Sequence, residues 1–535
     1  MPPRTQAVHL LPWSGGLNTS LDESMIASNQ LTVADNILIG SRPVKKKREG
    51  INHDFDDQTA GTDLMIGLHD FWYGASSKTQ KYVGINSARA KYTWNVGTGA
   101  RTTITDAGTA WAGTLTTCSM VTFNNLCIIA VDGAANVVKK WDGTNDIADL
   151  DGTPPVASIL RTHIGRLITN DKANVDRLHY SPAFDHTKWN GTGDSGAFDI
   201  GTGDGDPDGI TAIFPTFKGD LFVAKRTKLY RLVGQSPEEI QIIKVSDSIG
   251  CISHNSVVQV GQDDIMWVSE KGVHSLQAVA AYGDFTSVDV SVDIQKTFND
   301  DFTRSRLKYS WGAYLPQINS VAWAFTESSG LNRTLTTSSV NNAVYLFNVT
   351  AKAWYRWPDI PCTSLIVAND SGEKRFWFGT HTNRISKSFS GDAFDKVGNS
   401  GTQTAITMRV ASGQMFMPGA APTDLVAYKE FILHYRPSSQ ASVNVSVKID
   451  KQSIPAENRL VYQESTGGTP LGTGFVLGST PLGTTAVMSG YARSITGQGH
   501  TAKVTIEESS LTGEVEIQGI GLRFEPLTYV SEVAS

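Results

Sequence analysis

The sequence predicts an all-β protein: a β-propeller of about six to eight blades with an N-terminal arm and a C-terminal β-sandwich-like domain. Three observations predict this fold class. Pairs of short apolar strands recur at intervals of roughly 40 to 50 residues, the period of a propeller blade. The 50 glycines lie among many Thr, Ser, Asn and Asp residues and supply tight turns. No apolar pattern with a period of 3.6 residues is sustained, so long helices are not expected.

The first element, residues 1–55, is interpreted as an arm because it shows little strand alternation. Residues 14–18, Ser-Gly-Gly-Leu-Asn, favour a flexible turn. Residues 31–39 fit either one strand or a helical turn leading into it. A basic cluster follows at residues 45–48. This segment is therefore not expected to form a domain of its own.

The second element, residues 56–400, is predicted to be the propeller. Each repeat has an apolar strand, a turn with Gly, Asp or Asn, and a second strand that ends near an aromatic or basic residue. A single hairpin of this kind is only marginally stable, so the repeats must pack on one another. The seven predicted hairpins are 81–85 with 92–94, 126–130 with 137–141, 167–169 with 178–180, 221–224 with 229–232, 265–268 with 273–276, 321–325 with 344–347, and 375–379 with 385–387.

The third element, residues 401–535, is predicted to be sandwich-like because its strands alternate cleanly between apolar and polar residues. The predicted strands are 431–435, 443–449, 502–506 and 515–524. Between them, residues 465–485 are rich in Gly, Thr and Pro and are interpreted as a long loop.

Length and charge narrow the function classes. A chain of 535 residues is too long for one compact core, so several domains or a repeat array are expected. The net charge is −6, which excludes a basic nucleic-acid footprint spread over the whole chain. Because Lys and Arg contacts to phosphate dominate DNA affinity, a mildly acidic surface would let DNA pass without adhering.

Metal and membrane patterns are missing from the sequence. The 4 cysteines form no CxxC pair, and we expect buried free thiols at Cys118, Cys127, Cys251 and Cys362. No His pair has metal-ligand spacing, and no cofactor is predicted.

The first residues lack the long apolar stretch of a signal peptide, and no segment approaches the ~20 apolar residues of a membrane helix. We therefore expect synthesis in a cytoplasm and no membrane segment.

Two short motifs imitate enzymes. Gly193-Asp194-Ser195-Gly196 resembles the segment around a trypsin-like nucleophile, but the sequence continues differently and no matching His segment lies upstream. Residues 181–189 partly resemble the Asp-box of sialidases, with the wrong offsets and no Gly. We interpret both as turns, and we assign no catalytic residue.

Two charged clusters offer binding hypotheses. Asp204, Asp206 and Asp208 resemble the first half of a calcium loop, but the closing Glu is absent, so an Asp/Gly turn and a different cation site both stay open. The basic cluster at residues 45–48 suggests DNA phosphate contact, a solvated face, or pairing with acidic residues of a neighbouring subunit.

Aromatic residues at hairpin ends have two interpretations. They either stack on sugars or, as we prefer, fill the space between blades. They are Trp94, Trp141, Tyr180, Tyr230, Trp354 and Trp357. A pair of carboxylates for glycoside hydrolysis stays open, because sequence spacing does not determine distance in a propeller.

Two stretches resemble one known family. The first comprises residues 13–22 with the Gly-Gly-Leu-Asn sequence, 30–36, Arg42-Pro43 and 48–50. The second is an ordered succession of segments, 178–189, 198–200, 206–210, 219–223, 228–232, 249–250, 264–267 and 271–274. Together with the closing residues 519–525, they resemble the tail nozzle (tail hub or head-stabilisation) proteins of short-tailed bacteriophages. The run Lys45-Lys46-Lys47 departs from the family pattern, which has one or two basic residues there.

The resemblance implies a structural protein of the virion tail, made in the host cytoplasm, and not an enzyme. It implies a homo-hexameric ring below the adaptor, in contact with tail adaptor proteins and with other tail components such as a fibre or needle. Genomic DNA would pass through without specific binding, and the host envelope would be met only indirectly. The loop at residues 465–485 is a candidate for closing the channel until DNA ejection.

A second function is kept as the alternative. A propeller that binds or degrades carbohydrate for host recognition would need an aromatic shelf, or a pair of carboxylates, at one mouth of the propeller.

Overall fold

The structure of the protein is a computed structural model. It describes residues 7–11, 13–40, 44–52, 61–203, 205, 208–234, 236–279, 284–328, 340–396, 402–417, 424–437, 442–451, 457–462, 489–511 and 515–527. Within these ranges, no helix combines the length and the hydropathy that crossing a membrane requires. The predicted loop at residues 465–485 lies outside the described residues, as do Arg42, Pro43, Asp204 and Asp206.

The N-terminal residues form four strands. They are β1 (Ala7–Leu11), β2 (Leu31–Asp35), β3 (Ile37–Ile39) and β4 (Lys45–Lys47). Residues 31–39, for which one strand or a helical turn was predicted, form two strands separated by Asn36. Asn36 has φ of 54°, a left-handed conformation that asparagine tolerates better than most residues.

Four antiparallel meander sheets follow along the chain. Sheet 1 contains β5 (Met65–Tyr73), β6 (Thr79–Asn86), β7 (Lys91–Asn95) and β8 (Arg101–Thr103). Sheet 2 contains β9 (Cys118–Phe123), β10 (Leu126–Val131), β11 (Lys139–Trp141) and β12 (Ala148–Asp149). Sheet 3 contains β13 (Leu160–His163), β14 (Arg166–Asn170), β15 (Arg177–Tyr180) and β16 (Gly196–Asp199). Sheet 4 contains β17 (Ala212–Ile213), β18 (Leu221–Ala224), β19 (Leu229–Val233) and β20 (Gln241–Ser246).

Three further meander sheets complete the series. Sheet 5 contains β21 (Val258–Val260), β22 (Asp264–Val268), β23 (Val273–Val279) and β24 (Asp284–Asp289). Sheet 6 begins with β25 (Trp311–Leu315), β26 (Ser320–Phe325), β27 (Ala343–Asn348) and β28 (Ala353–Pro358). Sheet 7 contains β29 (Ser364–Asp370), β30 (Glu373–Gly379) and β31 (Ile385–Lys387). The hairpin of β32 (Phe394–Lys396) and β33 (Gln403–Ala405) follows.

Helical structure in the described part of the chain is limited to short segments. The 3₁₀ turns are Pro237–Glu239, His254–Ser256, Val292–Ile294, Arg304–Tyr309 and Pro316–Ile318, and Thr297–Asp301 forms a π turn. The prediction that long helices are absent therefore holds within the described residues.

Apolar side chains fill the spaces between successive sheets, as in a propeller. Phe71 of sheet 1 packs on Trp141 of sheet 2, with ring centroids 5.6 Å apart. Separate clusters join sheets 2 and 3, sheets 3 and 4, and sheets 4 and 5. Each sheet is thus stabilised mainly by its two neighbours.

The ring of sheets closes between sheet 7 and sheet 1. Tyr82 packs on Trp377 with ring centroids 4.5 Å apart, and its hydroxyl donates to the Asn369 carbonyl at 2.8 Å. The arm completes sheet 7, because Asn52 and Lys387 exchange backbone hydrogen bonds of 3.0 Å in both directions. The last sheet therefore takes its fourth position from residues that precede the first sheet.

The C-terminal strands form two facing sheets. They are β34 (Met408–Ser412), β35 (Met415–Phe416), β36 (Leu425–Pro437), β37 (Ser442–Ile449), β38 (Glu457–Tyr462), β39 (Ser489–Gly499), β40 (Thr501–Glu508) and β41 (Val515–Leu527). One sheet has the order β3-β4-β41-β36-β39, with β1 also on β41. The other runs β2-β34-β40-β37-β38, with β35 also on β40, and joins sheet 6 where β2 meets β28.

The predicted fold class is confirmed: the protein is all-β, with a propeller and a sandwich-like C-terminal part. Each of the seven predicted hairpins lies on the second and third strands of one of the seven meander sheets. The four strands predicted after residue 400 are present as β36, β37, β40 and β41. The domain boundaries at residues 55 and 400 stay a prediction, and strands from both sides of them share sheets.

Candidate functional site

A cleft of about 610 Å³ lies between sheets 6 and 7 and the sandwich. The arm forms one of its walls, and the β32–β33 hairpin and β34 form another. Its polar lining includes Asp35, Arg48, Arg356, His381, Asp395 and Arg409. The cleft is the candidate functional site because all three parts of the chain meet there.

Arg356 joins the propeller to the arm in this cleft. Its Nε and Nη2 donate to the two carboxylate oxygens of Asp35, both at 2.8 Å. Such a two-pronged contact suits the planar guanidinium. Behind it, the fully buried carboxylate of Glu327 lies 3.6 Å from Nη1 and accepts a hydrogen bond from the Tyr345 hydroxyl. Although burial opposes the charge, Tyr345 and Asp35 raise the pKa of Arg356.

Arg48 forms a second two-pronged ion pair of the same kind. Its Nη1 and Nη2 donate to the carboxylate oxygens of Asp395 at 2.7 and 2.6 Å, and its Nε donates to the Asn36 side chain at 2.7 Å. The same Asp395 accepts the backbone N–H of Ile51 at 2.8 Å. The arm is therefore held on both sides of the cleft by charged side chains that already have partners.

The basic cluster at residues 45–48 is mostly internal. On β4, Lys45 and Lys47 point into the sandwich and are 1% exposed. Lys47 Nζ lies 2.6 Å from the buried carboxylate of Glu508 and 2.9 Å from the Ser510 carbonyl. Lys46 is half-buried and lies 3.5 Å from Glu49. DNA contact and a solvated face are therefore both wrong for Lys45 and Lys47, and Lys47 pairs with an acidic residue of its own chain.

Lys45 differs from its neighbour because its ammonium group has no hydrogen-bond partner among the described residues. Burial lowers its pKa to about 8. An uncompensated charge of this kind destabilises the folded state.

Of the three residues of the predicted calcium-like loop, only Asp208 lies among the described residues. Asp208 is paired with Arg226 at 3.4 Å, while Asp204 and Asp206 lie outside the described residues. No group of three or more metal-ligating side chains occurs among the residues that the structure describes. The hypothesis of a cation site at these three residues stays untested.

Both enzyme-like motifs form turns. The Ser195 hydroxyl donates to the Thr192 carbonyl at 2.8 Å, ahead of β16. The Trp189 indole donates to the His186 carbonyl at 2.9 Å, and its ring is buried between sheets 2 and 3. The interpretation of these motifs as turns is confirmed.

The aromatic residues at hairpin ends pack between elements, as preferred. Five of the six are buried: Trp94, Trp141, Tyr230, Trp354 and Trp357. The sixth, Tyr180, is partly buried and stacks on Phe198 with ring centroids 4.9 Å apart. None of the six is presented as a shelf for sugars.

The four cysteines are free and buried, as expected.

The Gly-Gly-Leu-Asn sequence of the arm has a clear structural role. The Leu17 N–H donates to the Trp354 carbonyl at 2.7 Å, and the Asn18 N–H donates to the Leu31 carbonyl at 2.8 Å. A Cβ at Gly16 would lie 2.4 Å from the Trp354 carbonyl oxygen, so only glycine fits there. This sequence therefore fixes the arm to the outer strand of sheet 6.

Sequence reasoning missed the residues that hold the cleft together. Asp35 and Arg356 are 321 residues apart, and Arg48 and Asp395 are 347 residues apart. No local pattern marks either pair. The one usable signal was the Lys45–Lys47 run, since alternate lysines on a short strand must share a face.

No family model matches the chain, and no curated protein matches it. Among solved structures it is similar to the WD40 β-propeller domain of Doa1, with a TM-score of 0.38 and 9% identity over 62% of this chain and 98% of that one. It is also similar to the extracellular domain of a putative one-component system, BT4673, from B. thetaiotaomicron, with a TM-score of 0.43 and 11% identity over 71% of this chain and 43% of that one.

Proposed function

We propose that the chain is a structural protein of a short-tailed bacteriophage, a tail nozzle subunit that extends and closes the DNA ejection channel below the adaptor. The observation that carries the proposal is the role of the arm. The same residues 13–22 and 30–36 that resemble the nozzle family dock the arm onto sheet 6 and extend the sandwich.

A subunit of a channel around packaged DNA must resist deformation. A propeller suits that role because each blade is wedged between two others and only short edges are left open. Here the arm completes sheet 7 through backbone hydrogen bonds, and it takes part in two Arg–Asp ion pairs across the cleft. Propeller and sandwich are thereby tied at several points.

The charge distribution supports passage of DNA without binding. Net charge is −6, and Lys47 and Arg48 of the basic cluster are used in internal ion pairs. These two cations are therefore not free for phosphate contacts, which supply most non-specific DNA affinity.

The proposed partners follow from this role. The subunit would form a homo-hexameric ring, contact the tail adaptor and a fibre or needle, and reside in the virion. A closed ring needs two different complementary patches on each subunit. We propose no catalytic activity and no cofactor.

The test is cryo-electron microscopy of purified virions, with six-fold averaging of the tail. We expect a ring of propellers at the distal end of the channel. If the chain instead forms peripheral spikes, or is missing from the particle, the nozzle role is excluded. Binding and cleavage of host polysaccharide would then be measured for the carbohydrate alternative.

A matched pair of glycine variants links the ring to the arm. Gly16→Val places a side chain against the Trp354 carbonyl, whereas Gly97→Val adds one at an exposed turn with a single contact at 3.5 Å. We expect Gly97→Val to enter particles and Gly16→Val to be excluded from them. Equal incorporation of the two variants would contradict a role of the docked arm in assembly.

A further inference from the structure

The innermost strands of the sheets surround a central channel, separate from the cleft described above. Three cavities of about 450, 190 and 70 Å³ lie along it. Asn255 lines all three, so they lie next to one another. The largest has the size of a small-molecule site.

The charge in this channel is of one sign. Arg161 lines the largest cavity, Lys308 the second and Arg306 the third. No Asp or Glu occurs among the residues that line any of the three. The described wall of the channel therefore carries three cations and no counter-charge.

Arg161 is the central feature of the largest cavity. Its Nε donates to the Ile213 carbonyl at 3.0 Å, and no carboxylate of the described chain lies within ion-pair distance. Burial lowers its pKa to about 10, which leaves the guanidinium charged at neutral pH. Most buried cations in the part of the chain that the structure describes, such as Lys47, Lys139 and Arg48, contact a carboxylate, whereas the partly buried Arg161 does not.

The two cations at the other end also have no carboxylate partner among the described residues, although Lys308 is exposed and Arg306 donates from Nε to the Thr326 hydroxyl at 3.4 Å. The Arg306 guanidinium lies 4.5 Å from the Tyr309 ring centroid, and Lys308 lies 5.1 Å from it on the same 3₁₀ turn. Burial lowers the pKa of Arg306 as well. The ring faces weakly favour the cations but do not neutralise them.

The remaining polar groups of the channel are neutral. Burial lowers the pKa of His69 to about 4 and that of His254 well below its usual value, so neither adds charge at neutral pH. His69 Nε2 lies 2.8 Å from the Thr122 hydroxyl. Thr162 and Gln259 add a hydroxyl and an amide to the same lining.

We propose that the central channel binds a small molecule that carries an oxyanion, a carboxylate or a phosphate, with Arg161 as its main contact. A guanidinium presents parallel N–H donors that match both groups. The neutral hydroxyls and amides of the lining supply further donors, and an anion would offset the charge that burial destabilises. The site does not depend on the proposed role in a virion.

The test is isothermal titration calorimetry of the whole chain with two probes, inorganic phosphate and citrate, at an ionic strength held constant with potassium chloride. Three proteins are compared: the wild type, Arg161→Gln, and Arg226→Gln as the control. Arg226 is exposed, pairs with Glu270 and lies outside the channel lining. We expect the wild type and Arg226→Gln to bind at least one probe, and Arg161→Gln to bind it at least tenfold more weakly.

The two probes distinguish the oxyanion. Binding of phosphate alone assigns a phosphoryl group, and binding of citrate alone assigns a carboxylate. Unchanged affinity in Arg161→Gln, or no binding of either probe to the wild type, would overturn the proposal. If Arg161→Gln does not fold, Arg161→Lys serves in its place, since it keeps the charge and loses the paired donors. A folded Arg161→Lys that binds as tightly as the wild type would equally overturn it.

Discussion

The propeller and the sandwich bury similar apolar strands but assemble them differently. In the propeller, hydrogen-bonded neighbours within sheets 1 to 5 are consecutive along the chain. In the sandwich, β4 pairs with β41 and β2 pairs with β34, so strands before residue 50 meet strands after residue 400. Local sheets pay little loop-closure entropy before they form, whereas the sandwich must close a loop of several hundred residues.

This difference indicates where a substitution should destabilise the protein most. A change in one propeller turn affects a hairpin that its own neighbours still support. A change in the buried polar groups of β4 affects a contact that joins the two ends of the fold. The predictions that follow test this contrast, from the largest expected effect to the smallest.

The largest effect is expected at Glu508. Glu508→Gln leaves the Lys47 ammonium buried beside an amide, and breaking a buried ion pair in this way costs about 3–5 kcal/mol. The free energy of unfolding, measured with urea, should fall by that amount. The control is Glu507→Gln, the adjacent residue on β40, which lines the cleft and is only partly buried. An equal, small loss in both variants would contradict the contrast.

A double replacement sharpens the same prediction. When Lys47→Met is combined with Glu508→Leu, no buried charge is left without a partner. We expect the double variant to recover most of the stability that Glu508→Gln loses. A double variant as unstable as the single one would show that packing at this site matters more than charge.

The second effect is a gain in stability at Lys45. Its pKa is about 8 in the folded protein against 10.5 for an ordinary lysine, so between pH 8 and 10.5 the unfolded chain binds more protons. Stability should therefore rise with pH through that window, and the cost of burial is fully present below pH 8. Lys45→Met should stabilise the protein at pH 7 by on the order of 3 kcal/mol.

The measurement is urea unfolding of wild type and Lys45→Met at several values between pH 7 and 10.5. The advantage of the variant should shrink as pH rises. Lys46→Met is the control, because Lys46 is half-buried and paired with Glu49. A constant advantage across this range would contradict an ammonium group that loses its proton on folding.

The smallest effect is expected in a propeller turn. Ile164 and Gly165 connect β13 and β14 with φ of 44° and 70°, the geometry of a turn that normally takes Asn-Gly. In sheet 2, Asn124 and Asn125 occupy the corresponding turn, with φ of 51° and 60°. Since a β-branched residue is strained there and Ile164 is 43% exposed, Ile164→Asn should add about 1 kcal/mol.

Thermal or urea unfolding measures this gain. Val292→Asn is the control, because Val292 is also exposed but its φ is not positive. We expect the control to change stability by less than about 0.5 kcal/mol. A loss in Ile164→Asn would indicate that the isoleucine side chain contributes packing that outweighs the strain.

The predictable part of the fold is the part built from short-range contacts. The hairpin of Leu126–Val131 and Lys139–Trp141 has its strands, its turn and its partners within 16 residues, so alternation and turn residues suffice to find it. The strands around Val445 and Ile520 were predicted from alternation alone, since their partners Ile506 and Leu433 lie 61 and 87 residues away along the chain. The individual strands of the arm were not predicted, because β3 and β4 are three residues long and show no alternation of their own.

The candidate site was not predictable for a related reason. Arg48, Asp395, Asp35 and Arg356 are ordinary surface residue types, and only the pairing of distant strands brings them together. The channel cations were missed because their common feature, a wall without carboxylates, depends on strands from six separate sheets meeting around one axis.

The long-range pairing of β4 with β41 also has a consequence for biosynthesis. A ribosome adds about 5–20 residues per second, so roughly 25 to 100 s pass between the synthesis of β4 and that of β41. Throughout that interval Lys45 and Lys47 lack their final surroundings, and sheets 1 to 5 can form while the arm waits. The arm is therefore synthesised long before the strand with which it pairs. During translation its unpaired strand edges are exposed to other nascent chains, and this segment most needs protection from them.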